Sequence, residues 1–253
     1  MNIRAPSLFL GHGSPMNVIK ENPYRTAWAA LSERFQTPKA IVCVSAHWES
    51  NGTYVTSGPN PRTIHDFRRF PQELFDIQYN APGAPALAAR VSEITGASST
   101  TEWGLDHGAW GVLRSLYPNA DVPVIQFSLD RTKTPAEHYA LGKKLSVLRD
   151  DGVMILGSGN IVHNLSFCRK TQQQFAWANR FDGAVKEKVR NRDHAALIDY
   201  GSLDEESHLA VPTNEHYLPL LYVIAAQDEE EGAEIFNDDV LTSISMTSIA
   251  FGI

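Results

Sequence analysis

The sequence predicts an α/β fold, a single domain with a central, mostly parallel sheet flanked by helices and a metal site at the carboxyl ends of its strands. Three observations lead there. Short apolar runs alternate along the chain with longer stretches of helical periodicity. Runs such as Leu8-Phe9-Leu10 and Ala40-Ile41-Val42-Cys43-Val44 carry no polar alternation, which marks strands covered on both faces, as in a parallel sheet. And His12, His47, His107, His163 and His216 stand in Gly-, Ser- or Asn-flanked punctuation beside apolar segments. In open α/β sheets ligands bind just beyond the carboxyl ends of the strands.

Each element follows from its local pattern. Strand Ser7–Leu10 passes through a Gly-rich turn into a helix over Tyr24–Phe35, with Trp28, Leu31 and Phe35 at helical spacing, and then into strand Ala40–Ser45. This is a βαβ unit, and its right-handed crossover makes the two strands parallel, with His12 and His47 on adjoining strand ends. A Pro-, Gly- and Asn-rich excursion covers Asn51–Pro71. Helices are expected at Pro85–Thr95 and Trp110–Leu116, a strand at Val122–Ser128, a helix at Ala136–Arg149 and a strand at Val153–Leu156. The turn Gly157-Ser158-Gly159-Asn160 then delivers His163, and helices Phe175–Arg192 and Glu215–Ala226 precede a terminal strand, Ser243–Phe251. No internal repeat, low-complexity tract or linker interrupts this order, so residues 1–253 read as one domain.

Composition removes several function classes. The chain has 253 residues, 43% of them hydrophobic, and a net charge of -7, which disfavours a phosphate-backbone partner, so no nucleic acid is expected. No window approaches the roughly 20 apolar residues of a membrane span, and Met1-Asn2-Ile3 begins no apolar leader, so neither membrane nor export is expected and the cytoplasm is the natural setting. Cys43 lies in an apolar strand and Cys168 in a polar stretch, a poor basis for a disulfide framework. The acidic run Asp228–Glu231 reads as a solvated loop after a helix.

Several imidazoles without a thiolate suit Zn(II), Fe(II), Cu or Ni and not the oxygen-seeking Mg or Ca. No H-E-x-x-H pair is present, so the inference rests on strand-end placement. His107 stands at a helix start with Asp106 as N-cap; the positive helix end disfavours imidazolium, leaving either a proton-exchanging group or a residue packed on Trp110. Ser14 does not fit a G-x-S-x-G nucleophile, since Pro15 follows it, and reads as a turn or N-cap residue. Trp48, Phe67, Phe70 and Tyr217 suit an aromatic substrate or a core equally. His138, His194 and His208 read as surface residues.

Six motifs, Leu10-Gly11-His12-Gly13-Ser14-Pro15-Met16-Asn17, Val44-Ser45-Ala46-His47-Trp48, Thr63-Ile64-His65-Asp66-Phe67, Asp106-His107-Gly108, Ser158-Gly159-Asn160-Ile161-Val162-His163-Asn164 and Glu215-His216-Tyr217-Leu218-Pro219-Leu220, resemble in order and across nearly the whole chain the 4,5-DOPA extradiol dioxygenase family, a branch of the class III extradiol ring-cleavage dioxygenases. The resemblance implies a non-haem dioxygenase that cleaves a catechol with O2. It implies His12, His47 and His216 as metal ligands, His107 and His163 as acid/base histidines, and an approach of His163 to the metal in the absence of substrate. Ser14 and His65, in the same motifs, are candidates for substrate contact. Fe(II) is the expected cofactor, with Zn(II) able to fill the same site, and the protein is expected to be a monomer or small homo-oligomer.

Two departures stand out. The wider class uses two histidines and a carboxylate, whereas Glu215 and His216 compete for the third position; on a helix they would point about 100° apart, and the resembled branch favours His216. Arg68-Arg69 replaces the two glycines the family commonly shows before Phe70-Pro71, and two cations there would favour an acidic substrate tail. Two other readings compete: a zinc-dependent hydrolase on the same three-histidine site, and a non-catalytic binding protein on the dioxygenase scaffold.

Overall fold

A computed structural model describes residues 4–168 and 173–253; the amino-terminal Met1-Asn2-Ile3 stretch lies outside them. The strands are β1 (Ser7–Gly11), β2 (Ala40–Ser50), β3 (Tyr54–Thr56), β4 (Ser98–Thr100), β5 (Val124–Asp130), β6 (Val153–Gly159), β7 (Glu234–Phe236), β8 (Val240–Leu241), β9 (Ile244–Ser245) and β10 (Ser248–Phe251). Between them lie α1 (Pro23–Leu31), α2 (Gln72–Phe75), α3 (Pro85–Thr95), α4 (His107–Leu116), α5 (Pro135–Leu145), α6 (Leu165–Cys168), α7 (Ala176–Arg190), α8 (His194–Ile198), α9 (Ser207–Ala210) and α10 (Leu218–Ala225).

Eight strands form one sheet in the order β4-β3-β5-β2-β6-β1-β10-β7, and β8 and β9 make a separate small hairpin. The central four, β5, β2, β6 and β1, are parallel neighbours, while β10 and β7 extend the sheet antiparallel on one side. This is the predicted α/β architecture. Side chains alternate between two cores: Leu8, Leu10, Ile41, Cys43, Met154 and Leu156 face one, Phe9, Val42, Val44, Val153 and Ile155 the other. Helices α1 and α4 cover the first face and α5, α7 and α10 the second, which is why the strands read as unbroken apolar runs. Among the described residues no helix is long and apolar enough to cross a membrane.

The helix starts obey local chemistry. Asn22 caps α1 ahead of Pro23, Asp106 accepts the Ala109 N–H at the start of α4, and Thr134 with Glu137 closes a capping box on α5. Several expectations are corrected. Strand β6 lies between β1 and β2, so the predicted βαβ partners share an edge without adjoining. Strand β2 runs on to Ser50, and its register against β5 shifts between Val44 and Glu49, so His47 sits in an irregularity within the strand and not after it. The last helix begins at Leu218, leaving Glu215 and His216 in the preceding turn, and the terminal strand is split into β9 and β10. His138, expected at the surface, is fully buried with its Nδ1 2.8 Å from the Tyr222 hydroxyl, because its face of α5 packs on α10. His194 is half-buried against Tyr139 and Gln227, and His208 is exposed as expected.

Candidate active site

The five singled-out histidines gather at the carboxyl edge. His12 follows β1 directly, with its N–H donated to the Gly159 carbonyl at the end of β6. His47 comes from the irregular stretch of β2, the kind of local bend that re-aims a side chain beside a site. His107 is the first residue of α4. His216 is held close to β6 because Asn160 donates its N–H to the His216 carbonyl, and any side chain at Gly159 would collide with that same carbonyl. His163 is fixed through its N–H to the Ala210 carbonyl. Ring centroids lie 5.0 Å apart for His12 and His47, 5.4 Å for His12 and His216, 5.2 Å for His47 and His216, and 3.9 Å for His47 and His107. His163 stacks on His216 at 3.4 Å.

Hydrogen bonds decide which nitrogen of each ring is free. The Ser158 hydroxyl donates to the Gly108 carbonyl at 2.6 Å, so toward His12 Nδ1, 3.0 Å away, it accepts. His12 is thereby protonated at Nδ1 and bears its lone pair on Nε2. The His216 Nδ1–H goes to the Glu215 carboxylate at 2.9 Å, leaving a buried His216 Nε2 with no protein partner among the described residues. His47 Nδ1 stands 3.2 Å from Asp66 Oδ2 and its Nε2 only 3.2 Å from His12 Nε2. Two imidazole nitrogens 3.2 Å apart, beside a third without a donor, make a fit for a cation. His12, His47 and His216 form a cluster with one ligand atom each, all within 4.8 Å of one another. Anchoring each Nδ1–H on an oxygen is the usual support of a metal-ligating imidazole.

Electrostatics agree with neutral, metal-ready rings. Burial first, and then the neighbouring histidines, hold His12 and His47 well below the ordinary imidazole range. His163 is lowered to about 3 by burial and then by His216. Burial opposes the charges of Glu215 and Asp66, but hydrogen bonds from His216 and His107 respectively outweigh it, bringing Glu215 down to about 2 and Asp66 below its ordinary range. Both acceptors are therefore ionised at neutral pH.

Glu215 reaches His216 and not the cluster of His12 and His47, so the third position offers an imidazole backed by a carboxylate. His163 shares a cluster only with Glu215 and His216, outside the three-nitrogen set. Ser14 accepts the Met16 N–H as the cap of a short 3-10 helix, Pro15–Val18. His65 donates to the Ile77 carbonyl at 2.9 Å and packs on Phe67, Phe75 and Trp110, which makes it a brace of the loop. Phe67 in turn meets His107 at 5.5 Å. Trp48, 5% exposed, stacks on Trp103, while Tyr217 is buried in the core and donates to the Leu197 carbonyl. Asp66 and Ser158 carry much of the site's organisation yet were not singled out from sequence. Their signal was adjacency to a histidine motif, but Asp and Ser in turns are too common for that to select them.

The family model for the catalytic LigB subunit of aromatic ring-opening dioxygenase matches residues 8–252. The chain is 45% identical over 260 residues to the 4,5-DOPA dioxygenase extradiol of Escherichia coli (strain K12), covering 98% of this chain and 95% of that one. It is 34% identical to the protein of the same name from Beta vulgaris, with 92% and 90% covered. A crystal structure of an uncharacterized protein from Escherichia coli K12 matches with a TM-score of 0.84 at 41% identity, over 98% of this chain and 99% of that one. The match of fold, length and family model together shows that the chain belongs to the LigB family of aromatic ring-opening dioxygenase catalytic subunits.

Proposed function

We propose that this protein is an extradiol dioxygenase that opens the ring of a catechol, DOPA-like in class, with O2, using Fe(II) held by His12, His47 and His216. The observation that carries the reading is the convergence of three imidazoles whose Nδ1 atoms are engaged by oxygens while their Nε2 atoms face one another or no donor at all. Fe(II) bound there would relay electrons from the catechol to O2 and serve as a common template for both. The remaining work falls to side chains. His163, with neither ring nitrogen hydrogen-bonded among the described residues, takes the proton from a catechol hydroxyl and returns it to the ring-opened product. His107 handles a second proton, and Phe67 beside it offers an edge to the aromatic ring. Arg68 and Arg69 are exposed, have no ion-pair partner among the described residues, and follow directly on this loop; they hold an anionic tail of the substrate.

The test is anaerobic loading with Fe(II) followed by a panel of catechols with and without a carboxylate tail. The expected result is a yellow semialdehyde formed with uptake of one O2 per ring opened, faster for tailed substrates, and absent from the Zn(II)-loaded protein. Turnover with Zn(II) and no O2 uptake would instead mark a hydrolase. Ring cleavage indifferent to the tail would remove Arg68 and Arg69 from the reading.

A further inference from the structure

We propose that Asp66 is a positioning residue that fixes the tautomers of two histidines with one carboxylate, so that both His47 and His107 present an unprotonated Nε2 to the site. The inference rests on the reading of His47 as a metal ligand and His107 as a proton-handling group. Asp66 Oδ1 accepts the backbone N–H of His107 at 2.8 Å. Its Oδ2 lies 2.8 Å from His107 Nδ1 and 3.2 Å from His47 Nδ1. An ionised carboxylate only accepts, so His107 Nδ1, hydrogen-bonded to it, is the protonated nitrogen; the same negative oxygen 3.2 Å from His47 Nδ1 favours the proton there as well, with the lone pair of each ring on Nε2. For His47 this is the atom that faces His12 Nε2 at 3.2 Å. For His107 it means that the ring first takes a proton at Nε2 before it gives one.

The carboxylate is held firmly enough to impose this. Its side chain is 16% exposed. On one side of it the Ile64 N–H reaches the Leu105 carbonyl at 2.7 Å and Trp110 Nε1 donates to the Ile64 carbonyl at 2.9 Å. On both flanks His65 and Phe67 pack against Trp110, and Phe67 also packs against the His107 ring. The irregular excursion is thus braced where Asp66 leaves it. An asparagine in its place would have one acceptor and one donating amide. If the acceptor keeps the His107 N–H, the amide faces both Nδ1 atoms and drives the protons to Nε2, where His47 can no longer bind a metal.

The experiment is nitrogen-15 NMR of histidine-labelled protein, metal-free and loaded with Zn(II), together with the Zn(II) dissociation constant, for wild type and Asp66→Asn. Wild type is expected to show Nδ1–H for both His47 and His107, whether or not any substrate turns over. Asp66→Asn is expected to move at least one of the two protons to Nε2 and to weaken Zn(II) by roughly 10–100-fold. An Nε2–H on His107 in metal-free wild type overturns the proposal without recourse to a variant, as do unchanged tautomers and Zn(II) affinity in Asp66→Asn. Because neither measurement involves ring cleavage, failure of the dioxygenase reading would appear separately, as correct tautomers in a protein that opens no catechol.

Discussion

The two ends of the sheet bury polar groups to opposite effect. At the amino end of β6 and β1, Arg149 is fully buried, and its guanidinium donates to the Ala5 carbonyl at 2.6 Å, the Ala226 carbonyl at 2.5 Å and both Glu231 oxygens at 2.8 and 2.5 Å. Four of its five N–H groups are met by protein oxygens. At the carboxyl end, His12, His47 and His216 are anchored on one side only, and His216 Nε2 is buried with no donor to meet it. Buried polar groups in native proteins almost always have partners, so a cluster that lacks them is built for something that arrives. Neither burial nor one unpartnered nitrogen distinguishes a scaffold from a site, since His138 Nε2 is buried without a partner among the described residues too; the convergence of several such nitrogens on one point does.

The largest effect that would break this contrast is at the three clustered histidines. His12→Ala, His47→Ala or His216→Ala should abolish stoichiometric metal binding and ring-cleaving activity, while the melting temperature of the metal-free protein stays near wild type, since each ring gives up only one polar contact with an oxygen among the described residues, to Ser158, Asp66 or Glu215 respectively. Metal analysis and calorimetry on the same samples check it; retained metal in any of the three removes that residue from the set. His163→Gln comes next, with turnover expected to fall about 10²–10⁴-fold at unchanged metal content, the usual range for loss of an acid/base group. Turnover within a few-fold of wild type at full metal loading would exclude it.

The other end of the sheet should answer in stability. Arg149→Ala leaves Glu231 with only the Asp228 N–H among the described residues and takes the guanidinium donor from two carbonyls, and chemical denaturation should report a loss of about 3–5 kcal/mol, with metal stoichiometry per folded molecule unchanged. A silent Arg149→Ala would mean that the hydrogen-bonded guanidinium contributes little to holding this end of the sheet.

A smaller effect separates buried histidines of the two kinds. Burial lowers His138, on α5, to about 4. Its unfolded value is near 6.5, so the unfolded chain binds the extra proton, and stability present above about 6.5 is lost as pH falls toward 4, by on the order of 1–3 kcal/mol. His138→Gln should flatten that part of the pH–stability curve, as measured by denaturation from pH 7 to 4; an unchanged slope would show that other groups carry it. The smallest effect belongs to Glu215→Gln. The amide oxygen still accepts from His216 Nδ1, so metal affinity should stay within about 10-fold of wild type, whereas a loss as severe as that of His216→Ala would make Glu215 the ligand.

How much was legible in the sequence follows the physics of each signal. Strand-end histidines could be read because buried parallel strands are continuous apolar runs and their ends are abrupt, as at Leu10 and Leu156. The insertion of β6 between β1 and β2 could not, since strand order depends on contacts between segments remote in sequence. Short β3, β4 and β7 pair antiparallel or at the sheet margin and carry too few residues for a period to emerge. His138 was misplaced because its polar neighbours in sequence, Glu137 and Lys143, lie on the other faces of α5, and only the docking of α10 shows which face is covered. Asp66 lay in a Pro- and Gly-rich excursion that has no periodicity to read, and its importance arises from a fold that brings it to two histidines at once.

The central claim is that three imidazoles, through Nε2, hold one metal ion. X-ray absorption spectroscopy of the Zn(II)-loaded protein tests it most directly. The account predicts three imidazole nitrogens at about 2.0–2.1 Å, falling to two in any retained complex of His216→Ala and unchanged in Glu215→Gln. Two imidazoles with a carboxylate oxygen that disappears in Glu215→Gln would contradict it.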